Sequence, residues 1–186
     1  MTSTLPTLHT TLPLRAGRWD LDLAHSNVGF TIRHLGVAKV RGRFTRFEAD
    51  VVIGATPDAS SITATVDLTS VDTGNGDRDA HIQAEDIVDV KRRPTMTFRS
   101  TSINGEADRW TVDGDLTIGE VTQPFTLDVE LGGVADFPLG GPRHAGVTAV
   151  GEVRRSDYGI ASSYPAAILG DVVKVELDLE LLEPGD

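Results

Sequence analysis

The feature that most constrains this chain is a strict two-residue alternation near its C-terminus. From Asp171 onward, VVKVELDLELL sets Val173, Val175, Leu177, Leu179 and Leu181 on one face, with Lys174, Glu176, Asp178 and Glu180 on the other. Successive side chains point to opposite sides of an extended strand, so the pattern spells a half-buried antiparallel strand and excludes an amphipathic helix. The same period recurs at Asn27–His34 (Val28, Phe30, Ile32 inward) and at Ser61–Leu68 (Ile62, Ala64, Val66, Leu68 inward). Further strands are expected at Arg18–Leu23, Val37–Phe47, Ala49–Ile53, Thr95–Ile103, Arg109–Ile118, Val121–Leu131 and His144–Arg155. Turn residues separate several of them: Pro57-Asp58, Asn104-Gly105, Gly119-Glu120 and Gly132-Gly133.

Some eight to ten strands, several of them long, exceed what one flat open sheet holds, so they close into a barrel or split into a sandwich. The inward residues are mostly slim, and the whole chain has only 6 Phe, 2 Trp and 2 Tyr. Slim residues inside a closed sheet leave room for a tubular void, whereas a sandwich packs the same residues solid. Two stretches break the period. Ser70–Pro94 is polar and suits one short helix over about residues 77–86, capped by Asp77 or a near neighbour. Asp157–Gly170 is apolar and glycine-bearing, as a loop folded over an opening would be.

Composition removes whole classes of function. A charge of −11 and a pI near 4.8 oppose nucleic-acid binding, which needs a cationic field to displace counterions. With no cysteine, a disulfide framework, an iron–sulfur cluster, a thiolate nucleophile and a Cys-ligated zinc are impossible. No apolar run is long enough to cross a bilayer as a helix, and no cofactor is expected. Residues 1–16 lack both an early basic cluster and an unbroken apolar stretch, which reads as a flexible leader on a cytoplasmic chain, with the folded domain over 17–183. Residues 15–46 hold seven basic and two acidic side chains, while 171–186 hold six acids and one lysine. Adjacent first and last strands would let these segments neutralise each other; the alternative is an anion-attracting rim near an entrance.

No arrangement of reactive side chains reaches motif grade. His81 and Glu85 share a helix face at i, i+4, but zinc needs three or four ligands and no second pair exists, so no metal is expected. Asn75, Asp77, Asp79 and Asp86 imitate a calcium loop that lacks its turn glycine and its bidentate glutamate. His25-Ser26 near Asp20 and Asp22 suggests a hydrolytic triad, yet neighbours on a strand face opposite ways and no oxyanion turn accompanies them.

Four segments together resemble a known family: DLAHSNVGFTIRHLGVAKVRGRF (22–44), RDAHIQAEDIVDVKRRPTMTFRST (78–101), WTVDGDLTIGEVTQPFTLDVEL (110–131) and RSDYGI (155–160). They are similar, in order and over nearly all of residues 17–182, to the YceI-like family of bacterial lipocalin-like polyisoprenoid-binding proteins. The sequence departs from the family at Gly119-Glu120, where a basic residue usually precedes the glycine. The resemblance implies a closed antiparallel lipocalin-like barrel of about eight strands, with a helix near one end, an apolar tunnel and a homodimer.

Within that frame, alternation assigns Phe30, Ile32, Val66, Met96, Phe98, Trp110, Leu116, Phe125, Leu127 and Val147 to the tunnel lining. Polarity and the matched segments assign His25, His34, Arg155 and Tyr158 to its mouth. The function expected is the carriage or sequestration of a polyisoprenoid, quinone or other long-chain amphiphile, without catalysis and without stable membrane insertion. The alternatives are an enzyme acting on an isoprenoid-like substrate, with His25 or His34 as general base, and a packed barrel serving as an interaction module.

Overall fold

The computed structural model describes residues 12–185, so the leader expected over 1–16 lies outside the described residues for positions 1–11. Eleven strand segments form one sheet: β1 (Gly17–Leu21), β2 (Asn27–His34), β3 (Ala38–Phe44), β4 (Phe47–Ile53), β5 (Ser61–Asp67), β6 (Val71–Asp72), β7 (Thr95–Glu106), β8 (Arg109–Ile118), β9 (Val121–Ala135), β10 (His144–Arg154) and β11 (Leu169–Leu182). All pairings are antiparallel, and the order β1-β4-β5-β7-β8-β9-β10-β11 closes on itself because β11 also pairs with β1 through Asp20–Leu182 and Leu21–Leu181. The barrel therefore has eight strands. A closed sheet has no edge to template aggregation, which offsets the exposure that so many strands would otherwise bring.

Three of the eight strands are broken along their length. β2 continues β1 along β11 after the turn Leu23–His25, β3 runs into β4 through Thr45-Arg46, and β6 follows β5 after Leu68–Ser70. The expected Val37–Phe47 strand thus ends at Phe44, because Thr45 and Arg46 turn away to bind Ser70: Thr45 N–H donates to Ser70 O and Arg46 N–H to Ser70 Oγ. Asp22 and Asp67 end their strands by the same device, each accepting the backbone N–H two residues on.

One α-helix, α1 (Gly76–Gln83), closes one end. Its cap is Asn75, whose side chain accepts Arg78 N–H, and it stops before Ala84, shorter than the expected 77–86. Asp79 is drawn instead to Thr73, accepting from both its N–H and its hydroxyl, so Asn75 and Asp79, two of the four residues that imitate a calcium loop, are occupied in building the helix start, while Asp86 accepts from Tyr164.

The C-terminal acids do sit beside the basic N-terminal strands, since β11 pairs with β2 from Leu169–His34 to Asp178–Asn27. Contact ion pairs nevertheless form elsewhere: Arg18 with Asp50, Arg43 with Asp72 and Arg46 with Asp67. Neighbours on β4, β5 and β6 reach these side chains first.

Two apolar clusters line the barrel's interior. One centres on Phe98, Trp110, Leu116 and Phe125, the other on Trp19, Val51, Ile53, Ala145 and Leu181. Leu12 and Leu14 pack against the second, so the stretch just before β1 belongs to the barrel's packing.

Candidate functional site

Inward residues leave two adjoining cavities in the barrel, of about 320 Å³ and about 200 Å³. Val28, Met96, Val153 and Val175 line both, so the two cavities meet at a waist formed by these side chains and lie in line along one apolar interior, the tunnel of this barrel. The larger cavity lies beneath α1 and the 155–168 loop; the smaller runs toward Trp110, Leu131, Leu181 and the Leu12/Leu14 end. A pocket of a few hundred Å³ with a predominantly apolar wall is the usual form of a small-molecule site.

The wall keeps its lumen because three of its phenylalanines lie over glycines. An added Cβ at Gly42 would come within 2.4 Å of the Phe30 ring, at Gly114 within 2.4 Å of Phe98, and at Gly151 within 2.6 Å of Phe125. Each ring rests on the shelf that a missing side chain leaves on the barrel wall. Phe98 and Phe125 then meet edge to face at 6.0 Å.

All ten residues assigned to the lining border this tunnel: Phe30 and Ile32 the larger cavity, Met96 the waist, and Val66, Phe98, Trp110, Leu116, Phe125, Leu127 and Val147 the smaller. Period-two alternation made them legible, since a closed sheet has only one inside. The mouth is different. His34 stands at the rim of the larger cavity, but His25 lies on the outer face, largely exposed, with Nδ1 2.8 Å from Asp22 Oδ2. The turn Leu23–His25 carries it out of the strand, and the Asp22 carboxylate beside it raises its pKa.

Tyr158 is buried, lines neither cavity, and donates its hydroxyl to Leu116 O at 3.2 Å. Burial, aided by the charge of Asp157, pushes its pKa up to about 12. Arg155 does border the larger cavity, yet its donors are committed. Nε binds Gly170 O, Nη1 binds Ile160 O and Ala161 O, and Nη2 binds Tyr164 O and Leu169 O, at 2.6–3.1 Å. A guanidinium has five N–H donors, and here five carbonyls take them. Arg155 is the staple that folds the 155–170 loop over the tunnel.

The polar rim comes instead from α1 and that loop. Arg78 and His81 border the cavity from one helix face, with Ile82 beneath them, and Tyr164 and Ile168 border it from the loop. Arg78 is steadied by Thr73, donating to its hydroxyl and its carbonyl oxygen. Tyr164 donates to Asp86 at 2.7 Å, and His81 Nε2 lies 3.1 Å from the same oxygen. These bonds hold the Asp86 carboxyl below its usual range, the Tyr164 hydroxyl contributing most. His81 thus serves the rim with Asp86 and Tyr164, not with Glu85. The i, i+3, i+4 spacing of Arg78, His81 and Ile82 was the sequence signal for this face; nothing local announced Tyr164.

Among the described residues, one group offers metal-type ligands: Asp22, His144 and Glu180, whose ligand atoms lie within 4.8 Å of one another. It sits outside the tunnel and satisfies itself, His144 Nδ1 with Glu180 and Asp22 with His25. No described helix is long and apolar enough to cross a membrane.

Comparison with known proteins agrees with this architecture. The chain is 37% identical over 142 residues to Protein YceI of Escherichia coli O157:H7, a match covering 76% of this chain and 74% of that protein. It superposes on the crystal structure of the YCEI protein of Campylobacter jejuni with a TM-score of 0.74 at 27% identity, covering 100% of this chain and 99% of that one. A structure described as a polyisoprenoid binding domain from Saccharophagus degradans shares the fold, with a TM-score of 0.64 at 16% identity over 91% of this chain and 100% of that one. The YceI-like domain matches residues 19–181, and with that span the chain belongs to the YceI-like family.

Proposed function

We propose that this protein carries or sequesters a long-chain amphiphile, a polyisoprenoid or quinone, with its tail in the tunnel and its polar head at the rim. The observation that carries the reading is the waisted apolar tunnel, whose polar lining residues, Glu48 apart, gather at one mouth. Each methylene that leaves water for such a wall gains about 0.8 kcal/mol, so ten carbons contribute about 8 kcal/mol against the cost of association, and longer tails contribute more. In this reading His34, Arg78, His81 and Tyr164 meet the head group, and the ten lining residues meet the tail. The polyisoprenoid binding described for the Saccharophagus degradans domain is consistent with it.

The reading is non-enzymatic. Of the two histidines suited by sequence to act as general base, His25 lies on the outer face, and His34 stands at the rim, where this reading gives it the head group. Native mass spectrometry of the purified protein, followed by solvent extraction, tests the proposal. A stoichiometric long-chain lipid is the expected result, lost in Ile32→Glu and Phe98→Glu variants that keep the β-sheet circular-dichroism spectrum. A protein that stays apo after incubation with polyprenyl lipids and quinones overturns it, as does a variant that keeps both fold and load.

A further inference from the structure

The rim of the larger cavity continues outward into a surface that the carrier reading does not use. The β2–β3 hairpin ends in Leu35-Gly36-Val37, closed by Val37 N–H donating to His34 O. Leu35 and Val37 are 54% and 84% exposed, and Leu35 N–H binds the carbonyl of Ile168, itself 43% exposed, on the loop across the mouth. Three apolar side chains therefore stand in water beside the opening.

The turn makes this placement unusual. Leu35 (φ 52°) and Gly36 (φ 68°) both occupy the left-handed region, the pattern of a type I′ turn, where Asn-Gly is the favoured pair. A leucine there is strained by its backbone, yet leaves more than half of its surface in water.

Charge surrounds the apolar tip. Arg33 and Lys39 face each other across the hairpin, and Arg41 follows on the same outer face. All three are exposed. Among the described residues neither Arg33 nor Lys39 has an ion-pair partner, and Arg41 acts on Glu176 only at longer range. Residues 33–41 contain no acid. Several acids of this end are already engaged, Asp72 by Arg43, Asp171 by Arg154 and Asp86 by Tyr164 and His81. Asp77 lies across the mouth on α1, and Glu85 just beyond its C-terminal end. The opposite end also exposes apolar groups, Phe137 and Leu139, but there Arg143 is bound to Asp136 and Glu183.

We propose that the β2–β3 hairpin tip is a docking surface for an anionic lipid bilayer, with Leu35, Val37 and Ile168 entering the head-group layer and Arg33, Lys39 and Arg41 meeting lipid phosphates. Apolar side chains ringed by basic ones are the chemistry of interfacial binding. The net charge of −11 does not forbid it, because salt confines the relevant field to about 8 Å from the surface. Docked this way, the tunnel mouth opens onto the bilayer. The inference rests on the carrier reading for its purpose, although the surface stands without it.

The test is flotation of the lipid-stripped full chain with vesicles of phosphatidylglycerol and phosphatidylcholine in equal parts, against phosphatidylcholine alone. Binding to the anionic vesicles only, abolished by 0.5 M salt, is expected. Lys39→Gln with Arg41→Gln should lower partition at least tenfold, whereas Leu139→Asp at the far end should leave it unchanged. Leu35→Asn is the sharpest variant, because it relieves the turn: the melting temperature should rise while vesicle binding falls several-fold. No flotation with anionic vesicles overturns the proposal, as does a hairpin-dependent dimer in sedimentation that excludes vesicles. A chain that carries lipid but ignores vesicles leaves the carrier reading standing without this surface; one that floats but never takes up lipid does the reverse.

Discussion

Arg155→Met removes the staple over the tunnel and should be the most damaging single substitution outside the apolar core. The side chain is 5% exposed and its five donors each meet a backbone carbonyl between residues 160 and 170. A lost hydrogen bond costs about 1 kcal/mol net, so five amount to about 5 kcal/mol. Ala161 O keeps a second partner, Tyr164 N–H, which brings the figure to about 4 kcal/mol. Methionine refills the aliphatic stem and adds no cavity. At 2–4 °C per kcal/mol for a chain of this size, the melting temperature should fall by about 10 °C. Arg155→Lys, with three donors and no planar fork, should recover less than half of that. Urea denaturation with thermal melts gives the magnitude, and amide exchange gives the location: protection should be lost over 160–169 while β8 and β9 keep theirs. A change in stability below 1 kcal/mol, or uniform loss of protection, would refute the view that Arg155 acts by holding this loop.

The glycine shelves predict that Gly114→Ala, which drives a Cβ against Phe98, destabilises the barrel by about 1–3 kcal/mol and displaces the ring into the lumen, read as a lower stoichiometry of bound lipid. Acid should weaken the fold. Asp171, held by the Ser156 hydroxyl, and Asp67, held by the Thr69 hydroxyl, have lowered pKa values, so their contribution is complete above the usual carboxylate range and lost below about pH 4. Denaturant midpoints from pH 7 to pH 3 should show this, with a shallower fall in Asp171→Asn. Alkali acts in the opposite direction: Tyr158 is held neutral by burial, so its contribution is complete below pH 10 and is lost as pH rises toward 12. Absorbance at 295 nm should show a phenolate step near pH 12 that disappears in Tyr158→Phe.

The period-two runs of this sequence determined the strands, which residues face inward and therefore the ten tunnel-lining positions, because alternation depends only on the local backbone. Asn27–His34 and Arg109–Ile118 coincide with the observed strands end to end. What local pattern could not reach was set by contacts far apart in sequence. The placement of Phe30, Phe98 and Phe125 over glycines depends on how neighbouring strands are brought together, and it decides that the barrel holds a tunnel instead of a solid core. Arg155 and Tyr158 were legible as polar residues in a matched segment, but only the folded loop shows one spent on five carbonyls and the other buried against Leu116. His25 leaves the barrel because Asp22 turns the chain between β1 and β2, and Tyr164 enters the rim because Asp86, 78 residues away, accepts its hydrogen bond. A strand's inside and outside are written locally; a rim is assembled from side chains that only closure of the sheet brings together.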